Sequence, residues 1–280
     1  VVFDITQANP GSQPRVGTIT LSSSSDVLYV TQQSNSVTIN VRTNDPAGED
    51  TDLDTDFKTI QAAFDAIEPN GLLFGSAASG TYDIYLESWG NVSANIHDVG
   101  DAGISLTGTT YPAGTTINIR SGDTTPPIVP AVVSLGFPGG ATPGWDIFDL
   151  RASTGSLALN VNDVIFMPSV AGKVPGDLVG TGSSDQGDAV KSRGNLMNTV
   201  FTWTNVMWCA ADATNLGSHP KGRPGSTDGL QPYDPATHVR FGDDGMFCDS
   251  NPTSTTAEVT STYTNCIFTQ MNDEGLLAFS

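Results

Sequence analysis

The sequence predicts an all-β fold, a solenoid of stacked coils (a parallel β-helix), with an N-terminal capping α-helix and a small N-terminal β region. Helical periodicity of apolar residues occurs only at 54–71, nearly all the rest reads as short strands, and one motif recurs along the second half. The predicted division is an N-terminal strand region at 1–48 and a solenoid at 49–280, with the capping helix at 55–68.

The segment 54–71 predicts one amphipathic helix. Its apolar residues share one helical face: Phe57, Ile60, Phe64 and Ile67. Thr55 or Asp56 can cap the start, and the turn Pro69–Gly71 ends the helix. Because this helix stands alone among strands, its apolar face must be buried against β-structure.

The first 48 residues contain three segments in which apolar and polar residues alternate, at 16–21, 27–30 and 37–41. This alternation is typical of half-buried strands, and Ser- and Gly-rich turns separate the segments. Two arrangements are consistent with them: a small sandwich-like module, or edge strands laid along the main body.

A short motif recurs in Asn162–Phe166, Thr204–Trp208 and Thr264–Phe268: a polar residue, Asn or Asp, two apolar residues and an aromatic. Its copies are 42 and 60 residues apart, near multiples of about 20, which predicts a coil of that length. A second element, Gly before an apolar pair, occurs at 244–247 and 274–277. In a stack of coils, the Asn at such a turn can hydrogen-bond its amide to the next coil. The aromatic at the end of the motif, Trp208 in the middle copy, is predicted to lie in the core.

The chain has three cysteines, an odd number that cannot pair completely, and no C-x-x-C spacing that would predict zinc. Cys248 follows Cys209 by 39 residues, and Cys266 follows Cys248 by 18. These intervals are close to whole numbers of the predicted coil. We therefore predict free, inward-facing thiols stacked on one another, rather than a disulfide.

The residues Phe57–Ile67, followed by Pro69–Asn70 and the strand Tyr82–Leu86, resemble the opening of pectin methylesterases. More broadly, about 54–280 resembles the pectin-lyase-like superfamily of right-handed parallel β-helices. The resemblance implies a right-handed solenoid, a helix that plugs its N-terminal end, and a first coil that begins at the Tyr82 strand. Lyases, esterases, hydrolases and phage tailspikes share this entry helix, so the resemblance implies a fold and leaves the activity open.

The chain carries 30 acidic and 11 basic residues, a net charge of −19. Phosphates would be repelled, which argues against nucleic acid and anionic membrane surfaces as partners. No apolar run reaches the roughly 18 residues of a membrane helix, so no membrane span is predicted. Few lysines, and a start at Val1 instead of Met, favour a processed chain that is extracellular or on a cell or virion surface.

A catalytic role has one leading carboxylate set. Thr227–Gly229 and Gly242–Gly245 are similar to segments of polygalacturonase-like glycoside hydrolases, and this similarity implies Asp228, Asp243 and Asp244 as general acid and base of an inverting hydrolysis. The match departs from the family pattern, since no histidine or cation follows Arg240. The alternative is a Gly-containing turn with solvated carboxylates.

Two further binding predictions concern calcium and sugars. Alternating carboxylates at Asp50, Asp52 and Asp54 resemble the first half of a calcium loop, which makes calcium the candidate cofactor. The alternative is acidic residues that complement the dipole of the following helix. Trp203 and Tyr233 would stack on a carbohydrate where their rings are exposed.

We expect a non-catalytic structural or adhesive protein, a surface, filament or virion component whose partners are other copies of itself. The apolar segment at 276–279 has no capping helix after it, which predicts an exposed strand edge suited to pairing with another chain. The predicted assembly residues are Leu276, Leu277 and Phe279. The alternatives are a polysaccharide-active hydrolase, esterase or lyase, and a tailspike-like glycan binder, both with polysaccharide as the partner.

Overall fold

The computed structural model describes most of the chain in segments. They are 15–20, 27–32, 34–43, 55–68, 71–88, 95–99, 104–105, 111, 113–123, 128–135, 148–149, 157–169, 174–176, 178–179, 190–193, 199–214, 219–242, 246–249, 259–272 and 276–279.

The N-terminal part contributes strands to two sheets. β1 (Arg15–Thr20) and β2 (Val27–Gln32) form an antiparallel pair. β3 (Ser34–Thr43) and the short β4 (Asp56–Phe57) run parallel to each other and belong to the largest sheet. The inward side chains of β3 are fully buried: Val37, Ile39 and Val41. β3 therefore lies along the main body, which is one of the two arrangements that the sequence left open.

The helix α1 (Ile60–Ile67) precedes eighteen further described strands. In chain order they are β5 (Ala77–Ser88), β6 (Ile96–Asp98), β7 (Ile104–Ser105), β8 (Thr115–Ser121), β9 (Ala131–Leu135), β10 (Phe148–Asp149), β11 (Leu157–Asn162), β12 (Val164–Pro168), β13 (Leu178–Val179), β14 (Val190–Arg193), β15 (Thr199–Thr204), β16 (Met207–Trp208), β17 (Ala211–Asp212), β18 (His238–Phe241), β19 (Met246–Asp249), β20 (Val259–Thr264), β21 (Ile267–Phe268) and β22 (Leu276–Phe279).

Three all-parallel sheets form the faces of the molecule. The first face has the order β20-β15-β11-β8-β5-β3-β4, the second face β21-β16-β12-β9-β6, and the third face β22-β19-β14-β10-β7. The chain visits the first, second and third faces in turn, so each strand pairs with its equivalent one coil away. This arrangement confirms a parallel β-solenoid, with one short helix among the residues that the structure describes.

The predicted coil length of about 20 residues is wrong. Asn160 pairs with Thr202, and Thr204 pairs with Thr264, so the motif spacings of 42 and 60 residues each correspond to one coil. One coil holds three strands and their connections, and the connections differ in length. The 60-residue coil also contains β17 and β18, which form a separate small sheet with β13 from the coil before.

The helix is where the sequence predicts it, but its start is different. Thr59 is the N-cap, and its side chain accepts a hydrogen bond from the Ala62 N–H at 3.1 Å. The predicted caps Thr55 and Asp56 lie before the helix, and Phe57 is a strand residue of β4. The helical spacing of Phe57 is misleading because a buried strand residue three positions before a helix can fall on the same face.

The buried face of α1 covers the N-terminal end of the core. Ile60, Phe64 and Ile67 are at most 2% exposed, and the helix contacts β3, β4 and β7. We call this the helical end. The predicted helix therefore packs against β4 and β7, which are the outermost described strands of the first and third faces.

The recurring Asn or Asp marks the corner between the first and second faces. Asp163, Asn205 and Asn265 all have positive φ, between 51° and 56°. Asn205 donates its amide to the Asp163 carboxylate at 3.0 Å, and Asn265 donates to the Asn205 carbonyl oxygen at 2.7 Å. Asn and Asp tolerate this left-handed conformation better than other non-glycine residues. The predicted side-chain ladder between coils is confirmed.

Aromatic rings fill the core of the later coils. Trp208, predicted to be buried, is 0% exposed, and its ring stacks on Phe166 at 5.7 Å and on Phe268 at 4.3 Å between centroids. Phe166, Trp208 and Phe268 come from three successive coils of the second face. Their spacing forms a continuous aromatic column along the solenoid.

The cysteines are only partly where the sequence predicts them. Cys209 and Cys266 are free, and burial raises the pKa of Cys209 to about 12. Cys248 lies on the third face opposite Ser192 and Ala278, whereas Cys266 directly precedes β21 of the second face. The predicted stack of Cys266 on Cys248 is wrong, because an interval of 18 residues is much less than one coil.

The corner ladder predicts unequal effects of two substitutions at Asn205. Asn205→Ala removes the amide and places an ordinary side chain at positive φ, whereas Asn205→Gly removes the amide but keeps a favourable backbone conformation. We expect Asn205→Ala to lower the free energy of unfolding by about 2 kcal/mol. Asn205→Gly should lower it by only about 1 kcal/mol. Urea denaturation of both variants measures this. Equal losses would contradict a role for the backbone conformation.

Candidate functional site

Polar side chains form a row on the outer side of the first face. Since side chains alternate along a strand, the residues flanking buried positions point outward and align from coil to coil. Asn118 donates to the Asp83 carboxylate at 2.9 Å, and Asn160 donates to the Asn118 carbonyl oxygen at 2.8 Å. The row continues through Thr202 to Thr262. Neighbouring coils are therefore tied together by amides outside as well as by apolar contacts inside.

The charged groups of this outer side are concentrated toward the helical end. Arg120 binds the Asp83 carboxylate at 2.6 Å, and its guanidinium lies 4.7 Å from the centroid of the Tyr85 ring. Arg42 bridges Asp56 at 2.8 Å and Glu87 at 3.0 Å. In the later coils the same rows hold uncharged side chains: Asn160, Asn162, Thr202, Thr204, Thr262 and Thr264. The outer side thus changes from charged to neutral along the solenoid.

A polar cleft of about 340 Å³ adjoins the charged part. Its lining is Glu87, Ser88, Asn95, Gly122, Asp123, Val129 and His219. Glu87 lies against the backbone of Gly122, where an added Cβ would be 2.3 Å from the Glu87 Cγ, so a glycine is needed for this close approach. The Asp123 carboxylate accepts the Val129 N–H at 2.9 Å.

The histidine of the cleft, His219, has a pKa below its ordinary value. Burial lowers the pKa of His219, the nearby charge of Arg223 lowers it further, and a hydrogen bond between Nε2 and the Pro130 carbonyl, at 2.9 Å, partly opposes this. An imidazole and two carboxylates suit hydrogen bonding to hydroxyl groups or proton transfer. Both carboxylates already have protein partners, Glu87 with Arg42 and Asp123 with the Val129 backbone.

Below the cleft, His97 is buried on the second face. One ring nitrogen, Nε2, hydrogen-bonds Asn95 Oδ1 at 2.8 Å, and Asn95 donates to the Leu86 carbonyl at 2.7 Å. The other nitrogen, Nδ1, is buried with no hydrogen-bond partner among the described residues. Burial lowers the pKa of His97 to about 4. His97 is therefore a neutral structural residue at physiological pH.

The predicted carboxylate trio is described only in part. Asp228 is exposed in a turn, where its N–H bonds the Ser226 hydroxyl at 3.0 Å. Asp243 and Asp244 lie outside the described residues, so the trio stays a prediction. The exposed turn at Asp228 matches the alternative of a solvated carboxylate.

The two aromatic residues predicted to stack on sugars have different surroundings. Trp203 points into the core and is 0% exposed, so its ring offers no surface to a sugar. The sequence left its direction open because Thr202 and Thr204 flank it on both sides. Tyr233 is partly exposed, and the guanidinium of Arg240 lies 4.6 Å from its ring centroid, which occupies one face of the ring.

The calcium candidates Asp50, Asp52 and Asp54 lie outside the described residues, and calcium binding there stays a prediction. Within the part of the chain that is described, no group of three or more His, Cys, Asp or Glu side chains could hold a metal ion. No helix of the described segments has the length and apolar character needed to cross a membrane.

The core is less covered at the last described coil than at the coil before it. Among the described strands, β20, β21 and β22 each have a neighbour on one side only, β15, β16 and β19 respectively. We call their outer edges and the adjoining core the open end. Its inward side chains are partly exposed: Ser261, Tyr263, Cys266 and Phe268. Their equivalents one coil earlier are 0% exposed: Phe201, Trp203, Val206 and Trp208.

The predicted assembly residues lie at this end on the third face. Leu276 is 39% exposed, and Leu277 and Phe279 occupy strand positions of β22 opposite Phe247 and Asp249. The side chains of Leu277 and Phe279 lie outside the described residues. The location of Leu276 is consistent with an exposed edge, and its role in assembly stays a prediction.

The open end is also free of charge over its first two faces. Residues 259–272, VTSTYTNCIFTQMN, contain no Asp, Glu, Lys, Arg or His in a chain of net charge −19. Charged side chains are a common means by which natural sheets prevent edge-to-edge pairing. This stretch has none of them.

Comparison of the chain with protein-family models, with curated proteins and with solved structures gives no significant match. Function must therefore be argued from the arrangement of residues. The outer rows of the first face and the polar cleft were not predicted from the sequence. The available signal was the alternation of polar residues in Tyr82–Glu87 and in Asn118–Arg120, but the alignment of these strands depends on the true coil lengths.

The buried His97 predicts a loss of stability in mild acid. Its pKa is about 4 in the folded chain and about 6.5 when unfolded. Between these values the unfolded chain binds a proton that the folded chain does not, so the free energy of unfolding falls as pH falls from about 6.5 to 4. Above about 6.5 this contribution is constant.

The measurement is urea denaturation of wild type and His97→Gln at pH 7, 5.5 and 4.5. Gln keeps a donor for Asn95 and does not titrate, so the stability of wild type relative to the variant should decrease by about 2 kcal/mol over this range. Parallel stability curves for the two proteins would refute this role of His97.

Proposed function

We propose that this chain is a structural or adhesive protein, acting outside the cell, that associates with other copies of itself through the open end. We further infer that its solenoid is a right-handed parallel β-helix of the pectin-lyase-like kind, since connections between parallel strands of one sheet are right-handed in about 98% of cases. The observation that carries the functional proposal is the open end, where the described strands pair on one side only, aromatic side chains are partly exposed and 259–272 carry no charge.

The chemistry of the open end favours a further β-strand as its partner. An edge strand presents unpaired N–H and C=O groups that can pair with another chain. Phe268 lies nearly parallel to Trp208, at 8° between ring planes, and Phe268 is itself partly exposed. A covering coil would bury Phe268 and Tyr263 as completely as Trp208 and Trp203 are buried one coil earlier. Burial of this apolar surface supplies the driving force for association.

The charge of the chain favours the same surface for self-association. Copies with net charge −19 repel one another over roughly a Debye length, about 8 Å at physiological ionic strength. Contact is least unfavourable where the surface is neutral, which is the case at 259–272. Association through this end should strengthen as added salt screens the remaining repulsion.

The second candidate function is polysaccharide binding or cleavage. The polar cleft and the amide row of Asn118 and Asn160 favour it, because carboxylates and amides are good partners for sugar hydroxyl groups. Two considerations place it second. The described part of the predicted catalytic set, Asp228, is an exposed turn residue, and Trp203 is buried.

Self-association predicts a position-dependent effect of one added charge. Thr262 and Thr202 occupy the same outer row, but Thr262 is on the edge strand and Thr202 is on the strand behind it. We expect Thr262→Glu to raise the dissociation constant of the assembly by about tenfold or more, because each copy brings the same charge to the contact. Thr202→Glu changes the net charge equally and should have a much smaller effect.

Light scattering over a range of protein concentrations measures both variants, with circular dichroism as the check on folding. A wild-type protein that stays monomeric at every concentration and salt level would refute the proposal. So would an equal effect of the two substitutions.

The polysaccharide alternative has its own test. Neutral and acidic polysaccharides are incubated with the protein with and without calcium, and binding and chain length are measured. Turnover that is lost in Asp243→Asn and Asp244→Asn, with folding intact, would replace the structural proposal by an enzymatic one. Absence of turnover together with concentration-dependent assembly is the result we expect.

A further inference from the structure

Asparagine or aspartate directly precedes glycine at three places in the chain: Asn70–Gly71, Asp228–Gly229 and Asp244–Gly245. Such pairs can rearrange spontaneously. The glycine nitrogen has no neighbouring Cβ to shield it, and it can attack the side-chain carbonyl carbon of the residue before it. The sequence alone offers this reaction at all three places. Asp244 and Gly245 lie outside the described residues, so the structure distinguishes the first two pairs.

Gly71 is tightly held just after the end of α1. Its N–H donates to the Glu68 carbonyl at 2.8 Å. A Cβ added at Gly71 would overlap the carbonyl oxygens of Asp65 and Ala66, so its backbone packs closely against the helix. For the reaction, the Gly71 nitrogen would have to leave this hydrogen bond and this packing. The fold therefore opposes the attack at this pair.

Asp228 and Gly229 have the opposite surroundings. All four residues of 227–230 are exposed. Within the described part of the chain, the Gly229 N–H has no hydrogen bond, and the hydrogen bond of Asp228 is a local one from its N–H to the Ser226 hydroxyl at 3.0 Å. A Cβ added at Gly229 would meet no atom within 4 Å. Neither the attacking nitrogen nor the carboxylate is therefore restrained.

We propose that Asp228–Gly229 is a site of spontaneous modification, at which aspartate converts to isoaspartate in the folded chain. The Gly229 nitrogen attacks Cγ of Asp228. The N–Cγ bond forms, a Cγ–O bond breaks, and that oxygen leaves as water, which takes up the amide proton. A second water molecule opens the resulting succinimide ring between the nitrogen and the main-chain carbonyl carbon. One water is lost and one is gained, so the mass is unchanged and no other reactant is needed.

The structure allows the product to accumulate in folded molecules. Isomerisation adds one atom to the main chain at residue 228 and places the carboxylate on Cα. The base of this loop is fixed by another contact: Gly222 packs against Leu230, where an added Cβ would be 2.6 Å from the Leu230 Cα. Asp228 and Gly229 take no part in that contact. The change therefore stays at an exposed loop tip, where insertions are tolerated best.

The test follows the folded chain during incubation at neutral pH. Trypsin releases residues 222–240 as one peptide, because proline follows Arg223, and Asp244–Gly245 falls in another peptide. An isoaspartate-specific methyltransferase detects the product, and electron-transfer fragmentation locates it. A sample taken at time zero sets the background. Asp234 in the same peptide is an internal control, because Pro235 has no N–H and cannot form the ring in this way.

Gly229→Ala and Thr227→Ala form a matched pair of variants. Both positions are exposed, Gly229 does not have positive φ, and alanine there meets no atom, so both variants should fold like the wild type by circular dichroism. Gly229→Ala shields the attacking nitrogen, and isomerisation at Asp228 should fall toward the background. Thr227→Ala leaves the reacting groups unchanged and should isomerise as fast as the wild type.

A parallel incubation in urea gives the behaviour of the unfolded chain. We expect isoaspartate at Asp228 in both states. Deamidation of Asn70, which changes the mass, should be fast only in urea. Absence of isoaspartate at Asp228 in the folded chain would overturn the proposal, whether or not it forms in urea. Equal rates in Gly229→Ala and the wild type would also overturn it, and so would deamidation of Asn70 in the folded chain as fast as in urea.

Discussion

The backbone hydrogen bonds between successive coils are the constraint on which the rest of this structure depends. Each short strand on a face must pair in register with its equivalent one coil away, or its polar backbone groups are buried without partners. Register then fixes the direction of each side chain, since alternate positions along a strand fall into inner and outer rows. The inner rows can hold the aromatic column of Phe166, Trp208 and Phe268, and the outer rows can hold the amide pairs of Asn118 and Asn160.

Features that depend on a few neighbouring residues could be predicted from the sequence. The amphipathic helix, the Asn corners and the buried position of Trp208 all follow from local patterns. Features that depend on distances between strands could not. The coil length was misjudged because the motif occurs once per coil and the connections vary in length. The spacings of 42 and 60 residues are therefore two single coils of different length, and not multiples of one shorter coil. The mistaken stack of Cys266 on Cys248 follows from the same misjudged length.

The candidate site illustrates this limit further. The polar cleft joins Glu87, Asp123 and His219, which are far apart in the sequence and meet only because two neighbouring coils and the long connection between β17 and β18 converge. Arg120 reaches Asp83 because β8 pairs with β5 in one particular register. Trp203 lies between two threonines, and the sequence left open whether its side chain points into the core or outward. In the structure it is buried. Long-range register, and not residue type, decides all three.

Strands in the middle of the solenoid pair on both sides, whereas strands in the outermost described coils pair on one side only. The two ends differ in how their core side chains are covered. At the helical end, α1 covers the core and the edge strand is reduced to the two residues of β4. At the open end, β20 keeps a full length, and its core side chains are partly exposed. Any strand that covers β20 must present small polar groups to its threonines and apolar groups to Tyr263. β20 itself has this alternation and carries no charged side chain.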